Sequence, residues 1–484
     1  MRLAATGLAG VAALALTALP VTQATGAGSQ VGLNVVLNTD ITPAIVTELS
    51  GYGPVNEQYP EIDGLTMRVA ASDVSRISKL PYVASANQDV PVVGKPVAES
   101  PYEDTLDGWA TWSTDQIDVY DVADGSRGVA ETGEGVYVAV LDTGLHSSWP
   151  FYFGHERIAE EYGIAIGGGG GEKGSISYQP NKWGVDQNGH GTHVTSTIIG
   201  YNFGDGDHVA GVAPRATIIP VKVLNQNGSG WSSMTAAGID YVTDLKESGA
   251  LGDSPVVINM SLGGPTSDAL SEAAIQRAID AGVLIVASAG NEGETGMGYP
   301  GAYAPVISVA ATGWTGEWLP ITAGRMNRSW WWSSDVDEET VAEDAYITDF
   351  SSRELAGQDL DVAAPGSWVV GPYQTNSQFG WYFLGGTSMA SPHVAGAVAL
   401  MAEREPGLGQ AEVESVLEST AIPLGAGTRT VFDPNTGDFA EVTWGSDASG
   451  HGLVDVPAAL AAVSGLTDGT STGQAGGRSK GASR

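Results

Sequence analysis

Residues 136–142 read VYVAVLD, an unbroken apolar run that stops at an acid. A strand with one wet face alternates apolar and polar side chains, whereas a strand buried on both faces does not. The same pattern recurs at 216–224 (ATIIPVKVL), 255–262 (PVVINMSL), 283–290 (VLIVASAG) and 306–311 (VISVAA). Between these runs lie sequences with helical spacing, SSMTAAGIDYVTDLKES at 232–248 and DALSEAAIQRAIDAG at 268–282. Strands alternating with helices predict an α/β domain, a mostly parallel twisted sheet flanked by helices. Ligands of such sheets gather at the carboxyl ends of the strands, so the polar residues that close the runs are the ones to weigh.

Four of them carry chemistry. Asp142 ends its run before Thr143 and Gly144, which suits a carboxylate at the lip of the sheet and equally an ordinary turn or helix cap. His190 stands between Gly189 and Gly191 in NGHGTHVTSTIIG, where small neighbours leave room for close approach to the ring. His193 lies one turn on, a spacing that also admits a zinc pair. However, no acid stands between the two, the chain has no cysteine, and no third ligand is evident, so a structural hydrogen bond is the better reading of His193. Ser388, in GGTSMASPHVAGAVALM, precedes a helix made of small residues. Pro392 must fall near the first turn of that helix, which leaves Ser388 either a catalytic hydroxyl in the field of free N–H groups or a plain N-cap. Asn291 follows VLIVASAG and offers either a turn side chain or a fixed neutral donor for a developing oxyanion.

Together, VAVLDTGL (138–145), NGHGTHV (188–194), ASAGNEG (287–293) and GTSMASPHVAG (386–396) resemble the four active-site blocks of the subtilisin-like serine peptidases, the subtilases, in that family's order. The likeness spans roughly residues 110 to 465. It implies a serine endopeptidase with Ser388 as nucleophile, His190 as general base and Asp142 orienting the imidazole, with Asn291 and the Ser388 N–H as oxyanion donors. It also implies that Gly228, Ser229 and Gly230 on one side and Ser261, Leu262 and Gly263 on the other pair with an extended polypeptide substrate. Catalysis in this family needs no cofactor. Structural calcium is a family habit, and Asn202, Asp205 and Asp207 lie where many relatives bind it, without a secure ligand assignment. The competing reading is a catalytically inactive relative that serves as a binding or scaffold protein, and the intact Asp142, His190, Asn291 and Ser388 speak against it.

The rest of the chain fits around that domain, taken as residues 106–465. Arg2, the apolar run Leu3–Val21 and the small residues Ala24, Gly26 and Ala27 read as a secretory signal peptide over 1–27, which predicts an extracellular protein. Residues 28–105 resemble the inhibitory pro-segment and its linker. VGLNVVL, a helix from Thr42 to Leu49, LTMRVA, SDVSRISKL and YVASA give a small α+β, ferredoxin-like order, and a Pro- and acid-rich stretch from Val92 to Asp107 reads as an exposed linker. Such a segment would be an intramolecular partner and an inhibitor. Residues 466–484, rich in Gly and Ser, read as a disordered tail.

Two stretches depart from the compact family members. One runs from Ala311 to Phe350 and holds Trp330, Trp331 and Trp332. The other, from Phe153 to Trp183, holds five consecutive glycines, Gly167 to Gly171, expected to be mobile. With 21 Lys and Arg against 56 Asp and Glu, the chain carries a formal charge of −35. That field repels nucleic acid and anionic membranes and favours a solvated surface, so a monomer with no nucleic-acid partner and no stable membrane anchor is expected.

Overall fold

The computed structural model describes residues 29–94, 98–101, 110–122, 125–204, 207–320, 326–328, 340–375, 378–433 and 436–471. The first of these segments forms a module of its own. Strands β1 (Gln30–Leu37), β2 (Val55–Tyr59), β3 (Gly64–Ala70) and β4 (Val83–Gln88) make an antiparallel sheet in the order β2-β3-β1-β4, with helices α1 (Pro43–Leu49) and α2 (Val74–Ile77) in the connections. Its core is small and apolar, with Leu33, Val35, Leu49, Leu65, Met67 and Ile77 all fully buried.

Pro91–Val93 (β5) follows, and then Ala98–Pro101 (β6). The stretch read as an exposed linker is therefore not exposed at its start: Val92 is buried, and β5 is hydrogen-bonded into the main body. A polar-looking sequence can be held this way because backbone pairing is indifferent to side-chain polarity.

The main body is built on a nine-stranded sheet. At its centre lies β7 (Tyr137–Asp142), flanked on one side by β10 (Thr217–Lys222), β8 (Ile164–Gly167) and β9 (Ser177–Gln179). On the other side stand β12 (Val256–Met260), β13 (Val283–Ser288) and β14 (Ile307–Trp314); β15 (Ala345–Ile347) and β16 (Val362–Pro365) both pair with β14. All pairs are parallel except β8 with β9 and β14 with β15.

The unbroken apolar runs have a direct cause in this sheet. Val138 and Val140 point into a core with Val194 and Ile198 of α4 (His190–Ile199) and Met389, Val394 and Val398 of α7 (Thr387–Arg404). Ala139 and Leu141 point into the opposite core, with Ile239 and Val242 of α5 (Ser232–Glu247) and Leu270 and Ile275 of α6 (Ala269–Asp280). Both faces of each strand are apolar because both are covered by helices.

Three further elements matter for the site. Ser229–Trp231 (β11) precedes α5, and the hairpin of β17 (Val369–Thr375) and β18 (Gln378–Gly385) leads straight into α7. The glycine-rich stretch is held: Gly170–Lys173 forms a short helical turn, α3, and Gly169–Gly171 are buried. The last helix, Val456–Ser471, runs past residue 466, where the sequence suggested a tail. Among the described residues no helix is long and apolar enough to cross a membrane. Of the Trp-rich insertion, Trp318 packs edge-on against Trp368 and beside Phe383, while Trp330, Trp331 and Trp332 lie outside the described residues.

The insertion also carries a buried acid. Glu317 accepts from the Trp314 N–H (3.0 Å), the Ser367 hydroxyl (3.0 Å) and the Tyr346 hydroxyl (3.1 Å). Burial outweighs these bonds and pushes its carboxyl up to about 8. Because the folded value exceeds the unfolded one, the stability this group supplies is complete at acid pH and is lost as pH rises through about 8. Glu317→Gln, which keeps the acceptor and stays neutral, should show a shallower fall in melting temperature between pH 5 and pH 9 than the wild-type chain, measured by calorimetry. Parallel profiles would contradict this.

Candidate active site

Strand β7 pairs in parallel with a neighbour on each edge, and in register with Lys222 of β10, so its last residue is placed without freedom. That residue is Asp142, which is fully buried. Its Oδ1 accepts from the Thr143 N–H at 2.6 Å, and both its oxygens lie 2.9 Å from His190 Nδ1. His190 opens α4 directly after Gly189, whose φ of 94° turns the chain into the helix. Gly191 is required by space: a Cβ there would lie 2.5 Å from the Gly144 carbonyl oxygen and 3.1 Å from Asp142 Oδ1. Its N–H instead donates to Thr143 Oγ1 at 2.8 Å, locking the helix start to the strand end. The imidazole is fully buried, and its Nε2 has no hydrogen-bond partner among the described residues.

Ser388 is the second residue of α7. Pro392 has no N–H to give to the carbonyl four residues back, so the Ser388 carbonyl is left open inside the helix. The Ser261 hydroxyl donates to that carbonyl at 2.8 Å, and Ser388 Oγ donates to the Ser261 carbonyl at 3.2 Å. This reciprocal pair joins the nucleophile candidate to the chain just beyond β12. Ser391 extends the junction by donating to Asn259, which in turn donates to Ser261 Oγ. Asn291 sits beside it: its Oδ1 accepts from the Thr387 N–H (2.9 Å) and hydroxyl (3.0 Å). With the oxygen engaged at the helix start, the amide Nδ2 is the donor end of the group.

Two residues of the site escaped the sequence reading. Lys222 donates to the Thr143 and Leu224 carbonyls and braces the turn behind Asp142. Burial pulls its amine below the ordinary value against the opposing pull of Asp186 and Asp142. A lysine inside an apolar strand was the available signal. The other is Gly94. A Cβ on Gly94 would fall 2.8 Å from the Ser261 carbonyl oxygen, 3.4 Å from His190 Cε1 and 2.7 Å from Leu224 Cδ1, so this residue of the N-terminal chain lies against the imidazole.

Gly228–Gly230 and Gly263 pair with an extended chain, and it is the protein's own. β5 pairs antiparallel with β11, Val93 opposite Ser229 and Val92 opposite Gly230. Val93 exchanges two hydrogen bonds with Gly263, at 2.8 and 2.9 Å, and the Gly94 N–H donates to the Gly228 carbonyl at 3.1 Å. Leu262 is buried in the core beneath. Beyond the site, β6 pairs antiparallel with β18, Ala98 opposite Gly385, three residues before Ser388.

His193 is not part of this arrangement. Its Nε2–H donates to the Val369 carbonyl at 3.0 Å, and burial pushes it down to about 3. Of the loop read for calcium, Asp205 lies outside the described residues, and the backbones of Asn202 and His208 pair in a small hairpin. Metal-like geometry occurs elsewhere: Asp359, Asp361 and Glu414 offer carboxylate oxygens within 4.8 Å of one another. Asp361 is fully buried, and one of its oxygens accepts twice from Ser308 while Oδ1 has no partner among the described residues.

A parallel sheet whose carboxyl edge presents an Asp–His pair, a helix-start serine and an anchored asparagine defines a hydrolase of the serine-peptidase class. The subtilase family profile matches residues 133–454, and the chain belongs to that family of serine endopeptidases. It is 30% identical over 372 residues to a thermostable alkaline protease of Halalkalibacterium halodurans, covering 77% of this chain and 81% of that one. To subtilisin DY of Bacillus licheniformis it is 34% identical over 297 residues, 60% of this chain and 86% of the other. Among solved structures, fervidolysin of Fervidobacterium pennivorans, a keratinolytic enzyme related to subtilisin, superposes with a TM-score of 0.59 at 23% identity. That match covers 90% of this chain and 61% of fervidolysin, and it bears on the fold alone.

Asp142→Asn keeps the volume of the side chain but presents the imidazole with an amide instead of a carboxylate. Turnover of a peptide substrate should fall on the order of ten thousandfold, with an unchanged melting curve. A loss below about tenfold would show that His190 does not depend on Asp142.

Proposed function

We propose that the protein is a secreted serine endopeptidase in which Ser388 is the nucleophile and an acyl-enzyme is the intermediate. In this reading Ser388 Oγ turns from the Ser261 carbonyl toward His190 Nε2, gives up its proton there and attacks the scissile carbonyl carbon. The carbonyl oxygen becomes an oxyanion, met by the Asn291 amide and the Ser388 N–H at the positive end of α7. Collapse breaks the C–N bond, and the imidazolium returns the proton to the departing amine. Water then attacks the acyl-enzyme, with the same imidazole as base, and releases the acid and the Ser388 hydroxyl. Asp142 keeps the proton on Nδ1 and stabilises the imidazolium without taking that proton itself.

The observation that carries this reading is the lie of residues 91–94: extended, paired on both sides, with Gly94 against His190. The same main-chain contacts serve any polypeptide, whatever its side chains. Residues 28–94 then act as an inhibitory pro-segment whose tail fills the cleft, and the bond cut in maturation lies between Gly94 and Ala98. Secretion rests on the leader-like residues 1–27 and on similarity to an extracellular serine proteinase of a Thermus strain.

Structural calcium, which the family leads one to expect, fits Asp359, Asp361 and Glu414. They are hard oxygen donors, and a buried oxygen of Asp361 lacks a partner. Chelation should lower the melting temperature of the wild type and leave that of Asp361→Asn nearly unmoved. An equal drop in both would remove the ion from this place.

The main test is Ser388→Ala. The full precursor should fold and remain one chain, while the wild type yields two fragments parted between Gly94 and Ala98. A serine-directed phosphonylating reagent should abolish casein hydrolysis and, by mass spectrometry, mark Ser388. Equal processing of both chains, or an adduct elsewhere, would overturn the assignment.

A further inference from the structure

The glycine-rich strap between β8 and β9 touches the N-terminal module more closely than any side-chain interface allows. A Cβ on Gly171 would lie 2.8 Å from Leu33 N, 2.9 Å from the Met67 carbonyl oxygen and 3.0 Å from Gly32 Cα. The reverse also holds: a Cβ on Gly32 would fall 2.4 Å from Glu172 N and 2.5 Å from Gly171 C. Here backbone lies on backbone, and only glycine on both sides permits it. Hydrogen bonds complete the contact. The Gly32 N–H donates to Glu172 Oε2 at 3.2 Å, the Asn56 amide to the Gly170 carbonyl at 3.1 Å, and the Ser175 hydroxyl to the Asn56 carbonyl at 3.1 Å.

The strap also reaches the junction between module and peptidase. Asp89, from the end of the module, accepts from the N–H and hydroxyl of Ser233 at the start of α5. A Cβ on Gly170 would strike that same Ser233 hydroxyl at 2.2 Å and stand 3.3 Å from Asp89 Oδ2. Lys173 Nζ lies 5.9 Å from the ring centre of Trp231, on the strand that pairs with β5. Gly168, Gly169, Gly170 and Gly174 all take positive φ, at 109°, 154°, 45° and 122°. A run of such residues has little intrinsic shape, and the partners that specify this one belong largely to the module.

We propose that the strap 167–175 is a docking latch for residues 29–89, dedicated to retaining the cleaved pro-segment and setting how long the matured enzyme stays inhibited. The proposal rests on the pro-segment reading above. It separates two tasks: residues 91–94 block the cleft, whereas the latch grips the body of the module through β1 and Asn56. Weakening its grip from the module side should speed dissociation and leave the matured enzyme unaltered, because Gly32 departs with the cleaved segment.

The test follows the lag between cleavage and the appearance of peptidase activity, using full-length precursors. Gly32→Ala is the sharper variant, since the mature enzyme it releases has the wild-type sequence. The added methyl must push Glu172 and Gly171 away, and the lag should shorten about tenfold or more, with the final kcat/KM unchanged. Glu172→Ala, which introduces no clash, should shorten it about fivefold and keeps the question answerable if Gly32→Ala fails to fold. Cleavage between Gly94 and Ala98 with lags equal to wild type in the variants that fold would overturn the latch and leave the pro-segment reading standing. A wild-type chain that is never cut there would overturn both.

Discussion

The parallel pairing of β7 with β10 on one edge and β12 on the other is the constraint on which the rest of the molecule depends. It is a backbone interaction, fixed in register from Tyr137 to Asp142, and it sets the heights at which three chains leave the sheet. Asp142 stops at the lip, Lys222 stands level with it, and the chain beyond Met260 arrives at Ser261 on the same edge. A slip of one residue would turn Leu141 out of one core and into the other, so two apolar cores enforce the register. The candidate site inherits its precision from backbone pairing that itself takes no part in chemistry.

A second device brings in the helix that carries Ser388. Proline inside a helix normally costs a hydrogen bond, here the one to the Ser388 carbonyl. The opened carbonyl is bonded by Ser261, and the Ser388 hydroxyl returns the bond. A local defect in α7 thus becomes the link between helix and sheet. Asn291 binds the start of the same helix through Thr387, so it and the nucleophile candidate are tied to one helix start. Such rigidity suits a site that must stabilise a charge existing only in passing.

The cleft holds the protein's own residues 91–94 through main-chain pairing. A groove with an open strand edge on each side accepts any extended chain, and the nearest at hand is the protein's own. Gly94 is small where the Ser261 carbonyl and Leu224 leave no space for a Cβ, and Val92 is buried against the body on the next inward-facing position. Tight binding of a built-in chain then needs grip away from the cleft. The module obtains it from α6, from the start of α5 and from the glycine strap.

Much of this was legible in the sequence. The doubly buried strands declared themselves as unbroken apolar runs because both faces of the sheet are covered, and Asp142, His190, Asn291 and Ser388 stood at their ends or at helix starts. Local chemistry determined those positions: strand ends, glycine turns and a proline near a helix start are properties of neighbouring residues. What the sequence by itself could not determine was contact across distance. Gly32 against Gly171, Gly94 against His190 and Val93 between Ser229 and Gly263 join segments far apart in the chain. The glycine run illustrates the difference. Read alone, it is the freest stretch in the molecule, because nothing local restricts its backbone. Only the tertiary structure decided that this freedom is used to admit a second backbone at a distance no side chain would tolerate.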